Sequence, residues 1–161
     1  MISLRNLLPL LFLPLLAISF SSCDEDNPFE VDYSSAPEPF NIDNATRVES
    51  ETGLIYYIVE EGSGAFEVDR RDQVRVYYTG RRYESGDIFD SSYRNGNPSP
   101  ATFNSLGNLI SGFREGLIGM KEGGKRVLII PPELAYGNSP NSNLKNDTLR
   151  FDIELAEIIS F

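Results

Sequence analysis

Hydrophobic and polar residues alternate most cleanly in two stretches of the chain. From Gln73 to Tyr83, Val74, Val76 and Tyr78 fall on one face and Arg75, Tyr77 and Thr79 on the other. Near the end, Leu149, Phe151, Ile153 and Leu155 alternate with Arg150, Asp152 and Glu154. A period of two sends successive side chains to opposite faces, so both stretches predict half-buried strands with the polar set outward. Leu54-Ile55-Tyr56-Tyr57-Ile58-Val59 is a further β-rich run, and Val127-Leu128-Ile129-Ile130 is a continuous apolar strand stopped by Pro131-Pro132. The turn signal Glu84-Ser85-Gly86-Asp87 leads from the first alternating strand into another at Phe89-Asp90-Ser91-Ser92. One segment has helical spacing: Leu109, Phe113, Leu117 and Met120 share a face. Glycines at 112, 116 and 119 make it a poor helix alone, so packing must hold it. Tyr93–Thr102 and Gly137–Asp147 read as loops. The expected fold class is α+β, an antiparallel sheet of four to six strands crossed by one short helix.

The first 45 residues follow a different pattern. Arg5 precedes a short apolar run, Leu7 to Ile18, interrupted by Pro9 and Pro14. It ends in Ser21-Ser22, directly before Cys23, the chain's single cysteine. Residues 1–22 resemble a bacterial lipoprotein signal, with Phe20 where a smaller aliphatic residue is usual; Cys23 is then lipidated and becomes the new N-terminus. An ordinary secretory signal followed by a stray cysteine is the plainer alternative. Residues 23–45 carry seven acidic residues, no basic ones, and Pro28, Pro37 and Pro39. They read as an acidic tether that holds a domain, residues 46–161, away from a membrane. Asp24-Glu25-Asp26 resembles the surface-export signals of some lipoproteins, and equally suits a solvated spacer.

Composition narrows the chemistry. The net charge is −10, but beyond the tether there are 13 basic and 17 acidic residues, so the acidity belongs mainly to the linker. That balance argues against nucleic acid as a partner. With no histidine and one cysteine, a Ser-His-Asp relay, a Cys-His pair, a Cys/His zinc site and an internal disulfide are all excluded. No P-loop or dinucleotide fingerprint occurs. Neither a metal nor a cofactor is expected.

Five motifs then occur in order: Val76-Tyr77-Tyr78-Thr79-Gly80, Phe89-Asp90-Ser91-Ser92, Leu109 to Leu117, Leu134-Ala135-Tyr136-Gly137, and Asp147 to Leu155. Together they resemble the FKBP-type peptidyl-prolyl cis–trans isomerases over roughly residues 50–161. The resemblance implies a twisted sheet wrapped around the short helix, with a shallow apolar pocket for proline between them. It implies Asp90, Tyr136 and Tyr78 as catalytic groups. Phe89, Ile110, Phe113 and Phe151 would join Tyr78 in the walls and floor, and Leu109 and Ile110 would offer backbone contacts. Taken singly, an aromatic on an alternating strand is ordinarily core, and an Asp after a turn is ordinarily a cap. The ordered set is what raises these residues above that.

The chain departs from the family at the pocket's base and rim. Phe113 stands where tryptophan is usual, which predicts weaker proline binding. Ala101 replaces a frequent aromatic, and the loop after Tyr136 is polar, leaving Leu144 as its one apolar contributor to the rim. Two readings follow from the sequence. One is an isomerase that assists folding of proline-containing exported polypeptides from a lipid anchor in the bacterial envelope, at the outer membrane, facing periplasm or surface. The other is a weakly active FKBP-like module of an envelope protein complex.

Overall fold

The computed structural model describes residues 31–159. Cys23, the expected signal and the tether up to residue 30 lie outside the described residues. Seven strands form one sheet: β1 (Thr46–Glu49), β2 (Ile55–Glu60), β3 (Gln73–Arg82), β4 (Ile88–Ser91), β5 (Ala101–Phe103), β6 (Lys125–Ile130) and β7 (Leu149–Ile159). Their order is β1-β2-β6-β7-β3-β4, with β5 also on β3, and all pairings are antiparallel. The count exceeds the expected four to six because β1 and β5 have only four and three residues. Such strands are too short to display a period. Ala101 and Thr102, expected in a loop, instead pair with Val76 and Arg75.

The expected helix is shorter than its hydrophobic pattern. It runs as α1, Ser111–Leu117; Leu109 and Ile110 precede it in extended conformation, and Ile118 leaves it at ψ 134°. Its glycines serve packing. A Cβ on Gly112 would lie 2.4 Å from Ile130 Cγ2, and one on Gly116 2.5 Å from Leu128 Cδ1. The helix therefore rests directly on β6, and burial offsets its low propensity. Phe113, Leu117 and Met120 are buried as their spacing predicts.

β3 and β7 form the centre, paired from Gln73 opposite Ile159 to Arg82 opposite Leu149 with one shift of register between Arg75 and Val76. Val74, Val76, Tyr78, Phe151, Ile153 and Leu155 enter the core from this pair. Their opposite face corrects the sequence reading. Asp152, expected outward, is 4% exposed, and Thr79 and Arg81 are also buried. The cause is the segment expected to be a free spacer. The folded unit begins at Val31, not near Thr46. Residues 31–40 reach this outer face, where Arg81 donates to the Pro37 carbonyl at 2.6 Å and Arg150 to the Phe40 carbonyl at 2.7 Å. Asp152 accepts from the Phe40 amide at 2.9 Å. Prolines keep this segment out of the sheet ladder, yet its carbonyls are satisfied by the buried Arg81 and the half-buried Arg150.

Candidate active site

Gly80 is the hub of the pocket. On β3 it pairs with Asp90 of β4 on one side and Phe151 of β7 on the other. A Cβ at this position would lie 2.7 Å from Phe151 Cε1 and 2.8 Å from Phe89 Cζ. Only glycine lets both rings close over the strand. Phe89 and Phe151 then meet edge to face at 5.5 Å. Phe113, projecting from α1, meets Phe151 at 4.9 Å and Tyr78 at 5.9 Å, also edge to face. Phe103 of β5 completes the box, 5.8 Å from Phe113 and 6.0 Å from Tyr78. These separations suit the quadrupolar preference of aromatic rings and make the box stiff.

The rings enclose a pocket of about 200 Å³ lined also by Asp90, Asn108, Leu109, Ile110 and Tyr136. A wider depression of about 620 Å³ around Arg70, Arg114 and Glu115 has no aromatic lining. The smaller pocket is the better site because apolar walls and convergent polar groups meet there.

The polar groups are arranged unequally. The Tyr78 hydroxyl donates to Asp90 Oδ2 at 2.7 Å, and the Ser91 amide donates to Asp90 Oδ1 at 2.9 Å. Asp90 is thus an oriented acceptor that fixes Tyr78. Arg94 approaches Asp90 Oδ1 only to 3.9 Å, with both side chains well exposed, so that pair contributes little. Burial pushes the Tyr78 phenol well above its ordinary range, and the bond to Asp90 and that carboxylate's charge add to the shift. Burial also raises Tyr136, with Asp90 again adding to it.

Tyr136 follows a 3-10 turn, Pro132–Leu134, and is set by hydrogen bonds that the Ala135 and Gly137 amides donate to the Pro132 carbonyl at 3.1 and 2.7 Å. Ser111, at the start of α1, donates to the Leu134 carbonyl at 3.1 Å and ties this turn to the helix. The Tyr136 hydroxyl has no partner among the described residues, nor has the Ile110 amide a backbone partner. Both donors line the pocket and have no partner among the described residues. No group of acidic, cysteine or histidine side chains among the described residues is placed to hold a metal.

Eight of the nine pocket residues expected from sequence line this cavity: Tyr78, Phe89, Asp90, Leu109, Ile110, Phe113, Tyr136 and Phe151. Leu144 does not. It is 8% exposed and belongs to the main core, since an apolar side chain amid Asn, Ser and Lys is drawn inward. Phe103 and Asn108 are the two lining residues that sequence reasoning missed. Ala101 and Phe103 share a face of β5, but three residues are too few for that alternation to be read from the sequence.

Comparison with known proteins agrees with this geometry. A family model described as FKBP-type peptidyl-prolyl cis-trans isomerase matches residues 64–156. The chain is 44% identical over 110 residues to "FKBP-type peptidyl-prolyl cis-trans isomerase FkpA" of Escherichia coli (strain K12), covering 68% of this chain and 39% of that protein. It is 44% identical over 108 residues to "FK506-binding protein 1A" of Neurospora crassa, covering 66% of this chain and 88% of that one. The crystal structure of FkpA from Escherichia coli is similar with a TM-score of 0.62 at 42% identity, over 70% of this chain and 51% of that chain. AtFKBP13 is similar with a TM-score of 0.59 at 34% identity, over 71% and 99%. The matched region thus spans about two fifths of the FkpA relative.

Proposed function

Since the chain belongs to the FKBP-type peptidyl-prolyl cis-trans isomerase family, we propose that the aromatic pocket takes the proline ring of a polypeptide and speeds rotation about the preceding peptide bond. Amide resonance sets a barrier of roughly 18–20 kcal/mol for such rotation. No bond breaks, so no nucleophile or metal is needed. The ring box excludes water from the imide carbonyl, which disfavours its polarised, planar form. A pocket that fits a twisted amide better than either planar isomer lowers the barrier further. The Tyr136 hydroxyl and Ile110 amide supply donors for substrate carbonyls, and fixed donors need no reorganisation as the amide turns. Asp90 acts through Tyr78, holding the phenol against the box. The observation that carries this reading is the box itself, five rings closed over Gly80 with two donors at its edge.

The reading extends to location. Residues 1–22 act as a lipoprotein signal, Cys23 carries lipid, and the chain assists folding of exported, proline-containing clients at the bacterial envelope. The support is the short apolar run ending at the lone cysteine. Among the described residues, no helix is long and apolar enough to cross a membrane. Weak turnover in the service of an envelope complex is the second reading. It is favoured by Leu144, whose withdrawal into the core leaves the loop after Tyr136 without an apolar cover.

Prolyl tetrapeptide exchange, followed by coupled proteolysis, tests the main reading. The full chain should accelerate it, and Tyr136→Phe should lower kcat/KM about fivefold, the worth of one hydrogen bond. No acceleration by the unaltered chain would sink the isomerase. Incorporation of labelled fatty acid, abolished in Cys23→Ala, tests the anchor.

A further inference from the structure

The pocket leaves one feature of the molecule unexplained. Residues 31–35 are bonded to the backbone on both sides of Asp90. The Tyr33 hydroxyl donates to the Phe89 carbonyl at 3.1 Å. The Ser35 hydroxyl donates to the Tyr93 carbonyl. Asp32 and Asn95 are joined twice: the Asn95 amide donates to the Asp32 carbonyl at 2.6 Å, and the Asp32 amide to Asn95 Oδ1 at 3.1 Å. Asn95 sits at φ 57°, the sole non-glycine residue with positive φ among the described residues. A left-handed residue persists where its surroundings over-determine it, and here the surroundings are Asp32.

The corner needs such support. β4 is four residues long and ends the sheet order, so β3 is its one neighbour. Its register also shifts beside Gly80. An edge strand paired on one side is held by one ladder of backbone hydrogen bonds and leaves a row of backbone groups open to another segment. The segment's own anchor is strong: Pro37 and Phe40 are bonded to Arg81, Arg150 and Asp152, and the Arg81–Asp152 pair is buried at 3.0 Å on β3 and β7. The clamp is therefore referenced to the two strands that carry Tyr78 and Phe151.

We propose that Asp32 and Tyr33 form a positioning clamp, through which the N-terminal segment fixes the Phe89–Asp90 corner of the pocket. The functional part of this inference rests on the isomerase reading; the mechanical part does not. Tyr33 and Asp32 are positioning residues: they act through Phe89, Asp90 and Asn95.

The test uses the detergent-solubilised full chain with Tyr33→Phe and with Asn95→Gly. The second keeps the left-handed backbone accessible while deleting Oδ1. Two readouts are taken: kcat/KM on prolyl tetrapeptides, and amide hydrogen exchange. Each variant should lower kcat/KM about fivefold. The Ser91 and Asn95 amides should exchange at least about threefold faster, with Leu128 and Ile153 unchanged. In an Asp90→Ala background, Tyr33→Phe should cost nothing further, because the corner it aligns has lost its carboxylate; a general structural effect would multiply instead. Unchanged exchange at Ser91 and Asn95 in both variants overturns the proposal, as does multiplication with Asp90→Ala. Faster exchange in a chain that shows no isomerase activity upholds the clamp and rejects the isomerase reading alone.

Discussion

β3 and β7 present two faces built by the same alternation, and the two faces end up buried for opposite reasons. On the inner face, Val76, Tyr78, Phe151 and Ile153 are apolar or aromatic and share one core with Phe113 and Leu117 of α1. On the outer face, Thr79, Arg81 and Asp152 are polar and equally hidden. The inner face is held by area removed from water and by ring geometry. The outer face is held by charge and hydrogen bonds: Arg81 reaches Asp152 at 3.0 Å, Arg150 reaches it at 2.7 Å, and residues 37–40 cap the cluster. A polar residue on a strand is thus no evidence of an exposed face when another segment brings partners to it. Apolar burial tolerates small misfits, whereas a buried charge cluster fails when one member is removed.

The largest expected effect breaks the outer face. Asp152→Ala leaves two arginine side chains, 8% and 18% exposed, facing each other without their carboxylate. Loss of one partner from a buried ion pair costs about 3–5 kcal/mol. Urea denaturation should show that drop, together with a higher apparent charge repulsion that added salt partly relieves. A loss under about 1 kcal/mol would mean that the cluster is solvated and that the outer face is not held as argued. Replacing the trio with apolar residues of similar volume should cost far less than Asp152→Ala, because no unpaired charge remains.

An effect of intermediate size breaks the inner face without touching a polar group. Gly80→Ala places a methyl within 2.7–2.8 Å of Phe151 and Phe89. Overpacking of this kind costs about 1–3 kcal/mol. The rings must part, so turnover of prolyl peptides should fall by more than the stability loss explains. Isomerase activity equal to the unaltered chain would show that the edge-to-face closure of Phe89 on Phe151 is dispensable.

The same contrast explains what was legible in the sequence. β3 and β7 are long enough to show a period of two, so Tyr78 and Phe151 were assignable to an inner face from pattern alone. Asp90 and Tyr136 carry no periodic signal; the order of motifs in the family resemblance placed them. Phe103 escaped because β5 offers three residues. Leu144 was misplaced because a loop leucine has no pattern to say whether it turns to the rim or the core. The clamp and the capping segment were illegible for a physical reason. Apart from the Tyr33 and Ser35 hydroxyls, they bind through backbone groups, the carbonyls of Asp32, Pro37 and Phe40 and the amides of Asp32 and Phe40. Any residue supplies those groups, so side-chain type records nothing of them, and prolines with acidic neighbours read as a spacer.

The smallest effect is read in alkali, where it separates the two faces by their tyrosines. Burial raises Tyr78 and Tyr136 at the pocket and Tyr33 and Tyr93 beside the outer segment, all above an ordinary phenol value of 10.0. A phenol whose folded value is raised stays protonated in the fold after the unfolded chain has ionised. Its stabilising contribution is complete below about pH 10 and is lost as pH rises toward the folded value, because the unfolded state then gains from ionisation and the fold does not. A phenol sealed from water steepens the decline by on the order of 1 kcal/mol per pH unit, and the half-buried Tyr33, Tyr93 and Tyr136 contribute less because solvent screens them. Tyr78 is displaced farthest, since it is both desolvated and bonded to a carboxylate. Denaturation series from about pH 9 to 11 should therefore show a shallower alkaline decline in Tyr78→Phe than in the unaltered chain, with a lesser flattening in Tyr33→Phe. Equal slopes for Tyr78→Phe and the unaltered chain would mean that the Tyr78 phenol is not sealed against water beside Asp90, and the inner face would lose the closure that sets it apart from the outer one.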